Sequence, residues 1–161
     1  MNPHHAHFSR LANSLNSPKI QPYPSMTAKD ISRYKNKTIP QLIGIASRRF
    51  NAFVRERDSN GIWFVCISCN RQLPVRQMNA GHYYSGGHYP PLRFNTDNVH
   101  GQCGFTCNNM RSGNLINYRH GLVKKIGEER IKALDIIADN YKRNGFKWDR
   151  FSLIEIILKY K

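Results

Sequence analysis

The sequence predicts an α+β fold in which a small zinc-stapled core of short strands is flanked by helices. First, the only four cysteines form two close pairs, Cys66–Cys69 and Cys103–Cys107, an arrangement typical of a four-thiolate zinc site. Second, β-rich segments bounded by turn residues lie between and beside these pairs. Third, apolar residues recur at helical spacing on both sides of this region.

The segment before the first cysteine pair predicts a helix followed by a strand. Between Pro40 and Asp58 apolar residues recur at helical spacing, and arginines occupy the remaining faces, as in an amphipathic helix. A Ser-Asn-Gly turn then interrupts the chain, and the run Ile62–Cys66 is rich in residues that favour strands. Another short extended piece is expected around Val75.

A β-hairpin with a long loop is predicted between the two cysteine pairs. Its strands are expected at Asn79–Tyr84 and Asn98–Gln102. The loop between them contains the turn-forming pairs Gly86-Gly87 and Pro90-Pro91. Long loops in compact domains tend to be functional, so this loop is a place to look for a site.

Three helices are predicted after the hairpin. The first is expected to begin around Cys103–Cys107 and to run toward Tyr118. The second follows Gly127, where two acidic residues precede apolar residues at helical spacing. The third is expected to be capped by Ser152–Glu155, which has the pattern of a capping box.

The chain is expected to divide into three segments. Residues 1–38 are interpreted as a basic, flexible arm, because five of the eight prolines lie in the first forty residues. A capping-box-like pattern at Thr27–Asp30 could nevertheless start a short helix there. Residues 39–127 form the zinc-containing core, and residues 128–161 supply C-terminal helices for packing or dimerisation.

The cysteine pairs leave two interpretations open, a zinc site or disulfides and buried thiols. The second pair is separated by three residues instead of two, which is within the range of zinc sites but less regular. The first residues lack an apolar signal core, and no apolar run is long enough to span a membrane. A cytoplasmic protein without a membrane partner is therefore expected, and a reducing compartment favours zinc.

The charge of the chain points to a nucleic-acid partner. Lysines and arginines number 25 against 10 acidic residues, which gives a net charge of +15, and such an excess suits a phosphate backbone. A basic protein that is merely soluble, or one directed at anionic lipid, is the alternative. Between Ser59 and Gly127 the only carboxylate is that of Asp97, so the cysteine region is the positive face.

The order strand, long loop, strand, helix carries three polar residues in the layout of a ββα-metal (HNH-type) nuclease. His82 lies late in the first strand and is the natural base, because neutral imidazole is available at pH 7. Asn108, at the helix start, can offer a carbonyl oxygen to a divalent metal. Asn98 can hold the hairpin in register by side-chain hydrogen bonds. Taken singly, each of these residues would more often be structural.

Several stretches also resemble the lambdoid phage NinG family, also called Rap, a recombination endonuclease. The similarity covers about residues 46 to 130, leaves out the N-terminal arm and extends to the C-terminal helices in character only. The stretches that carry it are Phe50–Asp58, Cys66–Cys69, Ala80–Tyr83, Leu92–Asn95, Asn98–Cys103 and Ser112–Leu115, followed by Tyr118 and Arg119.

The resemblance implies a structure-specific DNA endonuclease that uses Mg²⁺ or Mn²⁺ to cut branched recombination intermediates, such as Holliday junctions and D-loops. It makes His82 the base, Asn98 and Asn108 the other members of the triad, and the four cysteines the zinc ligands. A homodimer is expected, because two symmetric cuts need two active sites. Other protein partners are left open.

The second ligand of the catalytic metal is the open point of this interpretation. Many HNH enzymes place an Asp or His directly before the base, whereas this chain has Gly81 there. A site made largely of neutral ligands should bind its metal weakly and depend on the DNA phosphate. The candidates for the second ligand are Asn79, Asp97, His88 and His100.

Basic and aromatic side chains near the cysteines are expected to contact DNA. Tyrosines around the Gly-Gly loop, Tyr83, Tyr84 and Tyr89, could stack on unpaired bases, although packing is their commoner role. Two other functions stay possible, a non-catalytic zinc-stapled DNA-binding module and a sequence-specific HNH restriction or homing-type nuclease. The side chains expected at phosphates are Arg71, Arg76, Arg93, Arg111, Arg119, Lys124 and Lys125.

Overall fold

The structure is a computed structural model that describes residues 26–161. Most of the predicted flexible arm lies outside the described residues, so its flexibility stays a prediction. The part of that segment which is described contains helix α1, Ala28–Tyr34, which begins with a capping box between Thr27 and Asp30. Tyr34 is buried against the C-terminal helix, so this end of the segment packs on the core.

Helix α2 is the long amphipathic helix that the apolar spacing predicts. It spans Ile39–Arg57 and starts with a capping box formed by Thr38 and Gln41. The buried residues recur four apart on one face of the helix, and this face forms the centre of the fold. They are Leu42, Ala46, Phe50 and Val54.

The strands form two small antiparallel sheets. Strand β1, Trp63–Val65, pairs with β2, Gln72–Pro74. The predicted hairpin is present as β3, Met78–His82, and β4, Val99–Cys103. His82 pairs with Val99 at the loop end of the hairpin, and Met78 pairs with Cys103 at the other end. Together with the helices, these sheets confirm the α+β class.

The predicted single helix from the second cysteine pair to Tyr118 is wrong, because the chain forms two helices there. A π-helix spans Gly104–Met110, and helix α3 spans Leu115–Ile126. Three consecutive residues between them, Ser112, Gly113 and Asn114, have φ angles of 46°, 87° and 45°. A right-handed helix cannot pass through this left-handed backbone.

Helices α4, Glu128–Asn144, and α5, Arg150–Lys159, complete the structure. The predicted cap of the last helix at Ser152 is wrong. The helix begins earlier, and the Asp149 side chain is its cap, accepting from the Ser152 N–H at 2.9 Å. The apolar face of α5 is buried beside α2, while dimerisation stays a prediction. None of the helices in residues 26–161 is long and apolar enough to cross a membrane.

Helix α3 lies directly on the turn of the first cysteine pair. A Cβ atom at Gly121 would lie 2.0 Å from the Ile67 carbonyl oxygen, so only glycine allows the backbones to approach this closely. The Tyr118 hydroxyl, one turn earlier, donates to the Gly81 carbonyl at 2.7 Å. These contacts fix α3 against both the cysteine turn and the hairpin.

Candidate functional site

The four cysteine sulfurs form a cluster with the dimensions of a tetrahedral metal site. All four lie within 4.8 Å of one another, and the Sγ atoms of Cys69 and Cys103 are 3.9 Å apart. Sulfurs at about 2.3 Å from a zinc ion would be about 3.8 Å apart, whereas a disulfide needs about 2.05 Å. The four thiols are free and could bind a metal such as zinc.

Hydrogen bonds to the sulfurs hold the cluster and favour thiolates, whereas burial raises the pKa of Cys66 and Cys107. The Cys103 N–H donates to Cys66 Sγ at 3.3 Å, and Asn114 Nδ2 donates to Cys107 Sγ at 3.5 Å. Burial acts to raise the pKa of Cys69, but hydrogen bonds from Arg71 Nε at 3.4 Å, from the Arg71 backbone and from the Cys66 and Cys107 thiols together lower the pKa to about 6. This donor set fits zinc.

His82 lies at the end of β3 with its ring partly buried. Its Nε2 is 3.0 Å from the Arg93 carbonyl oxygen, so this nitrogen must carry the proton and donate. Burial lowers the pKa of His82, and the Arg93 charge lowers it further, against the opposing effect of the Arg93 and Ala80 carbonyls. The ring is therefore neutral at pH 7, and no donor among the described residues occupies Nδ1.

An open cleft of about 820 Å³ brings together His82, His88 and Asn108. Asn108 projects from the π-helix, and His88 from the loop between β3 and β4. Across the described part of the chain, no carboxylate lines this cleft, and no side-chain hydrogen bond engages the Asn108 amide. The cleft thus offers a neutral imidazole and an unengaged carbonyl oxygen, with no carboxylate in its described lining.

Asn98 is buried and ties the two ends of the long loop together. Its Oδ1 accepts from the Tyr84 N–H at 2.7 Å, and its Nδ2 donates to the carbonyls of Tyr84 and Leu92 at 2.8 and 2.9 Å. This geometry matches the holding role expected from the sequence. Asn98 does not line the His82 cleft, and its membership of a catalytic triad stays a prediction.

The other residues expected at a metal do not lie beside His82. The Asn79 side chain packs against Gly104, in a second cleft on the other side of the π-helix. The Asp97 carboxylate forms a two-point ion pair with the Arg130 guanidinium and lies in a third cleft, of about 870 Å³, with His100. Of the four candidates for the second ligand, only His88 lines the His82 cleft.

Gly81 has no room for the ligand side chain that many HNH enzymes carry at the position before their base. A Cβ atom there would lie 2.4 Å from Gln102 Oε1. Gln102 is fully buried and donates to Ser68 Oγ at 2.7 Å and to the Gly113 carbonyl at 2.6 Å. The glutamine therefore links the cysteine turn, the hairpin and the left-handed turn before α3. Its side chain leaves room only for glycine at position 81.

Sequence reasoning missed a buried charge cluster around Asp58, a residue interpreted only as the end of a helix. The Asp58 side chain is 4% exposed and ion-pairs with Arg57 at 2.7 Å and Lys125 at 2.8 Å, and it accepts from the Gly101 N–H at 2.8 Å. Burial acts to raise the pKa of Asp58, but contacts with the His100 ring and hydrogen bonds from Arg57 and Lys125 hold it well below its usual range. A partner 67 residues away leaves no local sequence signal.

The side chains expected to contact DNA fall into two groups. Arg71, Arg76, Arg111 and Lys124 are exposed. Arg119 already pairs with Glu128 at 3.0 Å, and Lys125 with Asp58, while Arg93 lies against Gly86 beside His82. Arg119 and Lys125 are therefore engaged in ion pairs within the fold.

The tyrosines expected to stack on bases pack against one another. The rings of Tyr83 and Tyr84 are 5.0 Å apart, and those of Tyr84 and Tyr89 are 4.9 Å apart. The Tyr84 hydroxyl donates to Asp135 at 2.7 Å, which joins the cluster to α4. These half-buried rings form one wall of the His82 cleft and have the packing role.

Comparisons with known proteins place these features in a phage family. The family model described as "Bacteriophage Lambda NinG protein" matches residues 25–161. The chain is 44% identical over 99 residues to Protein ninG of Escherichia phage lambda, covering 62% of this chain and 45% of that protein. It is 40% identical over 116 residues to Protein ninG of Escherichia phage 933W, covering 72% and 53%.

A third relative, Protein ninG of Salmonella phage P22, is 43% identical over 110 residues, covering 68% of this chain and 50% of that protein. The chain spans about half the length of the curated relatives it matches. No solved structure matches.

Proposed function

The chain belongs to the NinG family, and from this membership together with the His82 cleft we propose that it is a DNA endonuclease. Its substrates are branched recombination intermediates, Holliday junctions and D-loops, in which it hydrolyses phosphodiester bonds. In this proposal the β3–β4 hairpin and the π-helix form a ββα-metal (HNH-type) active site. The four cysteines hold a structural zinc ion beneath it.

The observation that carries the proposal is the state of His82. The Arg93 carbonyl fixes the proton on Nε2, and the lowered pKa keeps the ring neutral. Nδ1 is then free to take a proton from a water molecule as that water attacks phosphorus and the bond to the departing sugar oxygen breaks. The lack of a carboxylate in the described lining allows a phosphate to approach without repulsion.

The side chains of Asn108 and His88 are the proposed protein ligands of a divalent ion, Mg²⁺ or Mn²⁺. When bound, such an ion neutralises the charge that develops on the phosphate and on the departing oxygen. Both ligands are neutral and line the same cleft, so the affinity should be low until a DNA phosphate completes the shell. Replacing Asn108→Asp should therefore raise metal affinity in the absence of DNA, which calorimetry can measure.

The charge and the exposed arginines support branched DNA as the partner. Arg71, Arg76, Arg111 and Lys124 are exposed on a chain with a net charge of +15, and phosphate contacts of this kind select no base sequence. A homodimer in the host cytoplasm would supply the two active sites that paired cuts require.

Cleavage of a synthetic four-way junction with Mg²⁺ or Mn²⁺ tests the proposal. The wild type should cut the junction, and His82→Ala should lose cutting while it keeps binding. His120→Ala is the matched control, because His120 is exposed and has no side-chain partner in residues 26–161. Failure of the wild type to cut any branched or linear DNA, or unchanged cutting by His82→Ala, would refute it.

One observation favours a second function, a non-catalytic zinc-stapled DNA-binding module. No carboxylate of the described residues stands beside His82, whereas Mg²⁺ sites usually contain one or two. Binding of the junction without cutting by the wild type, at any divalent ion concentration, would support the module. Equal cutting of linear duplexes at one sequence would instead support a sequence-specific nuclease.

A further inference from the structure

Phe105 is a solvent-exposed phenyl ring on a segment of backbone that is fixed on both sides. Its surface is 75% exposed, although it lies between Cys103 and Cys107 in the π-helix. Both neighbouring cysteines are buried in the sulfur cluster, so the backbone that carries the ring is fixed on each side. A single exposed apolar residue is common and does not by itself indicate a site. The side chains around this ring are what point to one.

Phe105 stands at a cleft of about 420 Å³ whose other lining is basic and amide-rich. This volume is within the range of small-ligand sites, about 300–1,000 Å³. The amides of Gln77, Asn79 and Asn109 and the Arg76 guanidinium line it, and their side chains have no hydrogen-bond or ion-pair partner in the part of the chain that the structure describes. No carboxylate of that part lines the cleft.

Arg71 is already positioned in this cleft. Its guanidinium contacts Cys69 Sγ through Nε and the Thr106 hydroxyl through a terminal nitrogen, each at 3.4 Å. Two hydrogen bonds hold the planar group in one orientation and leave its other donors for an anion. Less rotamer freedom is then lost when a ligand binds.

From this lining we propose that the cleft binds one unpaired nucleotide of branched DNA. Its base stacks on Phe105, its edge meets the amides, and its phosphate meets Arg71 and Arg76. A ring face, amide donors and acceptors, and guanidinium groups are the three kinds of group that recognise single-stranded nucleic acid. A paired base within a duplex hides its ring faces, so intact linear DNA cannot use this cleft.

The proposal deepens the endonuclease function and rests on it for the identity of the substrate. The π-helix lies between two clefts, since Asn108 lines the His82 cleft while Phe105 and Asn109 line the second one. A nucleotide bound at Phe105 would hold its strand across the π-helix, next to the proposed point of cleavage. Preference for branch points then follows, because a base that is already unpaired needs no unstacking.

Binding measurements that involve no cleavage test this proposal. In a His82→Ala protein without divalent metal, affinities are measured for a linear duplex and for the same duplex with one bulged nucleotide. A 2-aminopurine at the bulge reports stacking by loss of fluorescence. Phe105→Ala is compared with Phe151→Ala, which removes an exposed phenyl ring from α5, and Arg76→Gln with Arg48→Gln, which removes an exposed charge from α2.

We expect Phe105→Ala to weaken binding of the bulged DNA roughly 5- to 100-fold, to abolish the quenching and to leave duplex affinity unchanged. Phe105→Trp should retain both signals and Phe105→Leu should lose both, which separates stacking from simple apolar contact. Zinc content and melting temperature check that each variant is folded.

Three outcomes would overturn the proposal: no change in bulged-DNA binding, an equal loss on the duplex, or a loss of self-association with DNA binding intact. Because cleavage is not measured, a wild type that never cuts DNA would remove the endonuclease proposal and leave this result standing.

Discussion

The two histidines of the hairpin, His82 and His100, lie in similar surroundings but differ in what their Nδ1 atoms contact. Residue 100 pairs with Gly81 and residue 82 with Val99, so their side chains point to opposite faces of the hairpin. The clefts on these faces are of similar size, about 820 and 870 Å³. Burial lowers the pKa of both histidines, and each has Nε2 near a backbone carbonyl, at 3.0 and 3.1 Å.

The difference lies in the other ring nitrogen and in the charges nearby. Nδ1 of His100 accepts from Arg57 at 3.0 Å, and the carboxylates of its cleft, Asp58 and Asp97, are paired with arginine or lysine. Nδ1 of His82 faces no donor of the described chain. Two histidines with the same tautomer therefore differ in the lone pair on Nδ1, which is used in His100 and free in His82.

The largest expected effect is unfolding of both faces of the hairpin, the His82 face and the His100 face, when a metal held by the four cysteines is removed. Chelation of zinc should unfold the core, because the sulfur cluster joins β4, the π-helix and the turn after β1. Structural zinc contributes about 10–16 kcal/mol in small zinc domains at pH 7. Circular dichroism with and without a chelator measures this, and added zinc should restore the signal. A core that stays folded without metal would show that the cysteines are not its staple.

The next effect should separate the two faces. His82→Ala should lower the cleavage rate by about 10²- to 10⁴-fold, the usual contribution of a general base, with little change in melting temperature. His100→Ala should cost about 1–3 kcal/mol of unfolding free energy, since it removes the acceptor of one Arg57 hydrogen bond and the donor to the Asp97 carbonyl, and should retain the rate of the folded protein. Paired cleavage assays and urea titrations measure both. The reverse pattern would exchange the two assignments.

Removing the carboxylate at the centre of the His100 face should lower the free energy of unfolding by a similar amount. Asp58→Asn should lower the free energy of unfolding by about 2–3 kcal/mol, because two cations lose their counter-charge. This loss of unfolding free energy is smaller than for a fully buried ion pair, because the Lys125 side chain is 41% exposed and its charge is screened by solvent. Asp139→Asn, on the exposed surface of α4, is the control and should change stability by less than about 0.5 kcal/mol. Equal effects of both changes would contradict the structural role of this face.

The smallest expected effect is a shift in the pH dependence of cleavage. Because burial lowers the pKa of His82, its neutral, base form persists to lower pH than that of an ordinary histidine. The rate at saturating metal should therefore fall only below the ordinary histidine pKa of 6.5 as the solution is acidified. Initial rates across pH measure this limb, and DNA binding over the same range is the control. An acid limb at or above 6.5 would mean that His82 is solvated or is not the base.

The sequence predicted the elements whose signals are local. Helix α2 follows from apolar residues four apart, and the hairpin follows from β-rich runs bounded by turn residues. The sulfur cluster follows from two short cysteine spacings, although which cysteines meet is settled only by the fold. These features depend on residues that are close in sequence, within a few turns of a helix or a few residues of a strand.

The features that sequence reasoning missed depend on distant partners or on unusual backbone. Asp97 looked like a metal ligand because it is the only acidic residue nearby in sequence. Its carboxylate instead forms an ion pair with Arg130, which lies 33 residues away in the chain. The break before α3 uses Ser112 and Asn114 in left-handed conformation, which ordinary side chains adopt rarely. Such a conformation is stabilised here by Gln102, whose own position no local pattern indicates.

The π-helix makes the length of the chain itself a determinant of the site. Each residue of an α-helix turns the following side chains by roughly 100°, so one deletion between Cys103 and Cys107 would change the phase of Asn108 while every residue type remained. Substitution scanning cannot detect information of this kind. A series of single-residue deletions and insertions would, and it should find this stretch of the chain intolerant even where each individual side chain can be replaced.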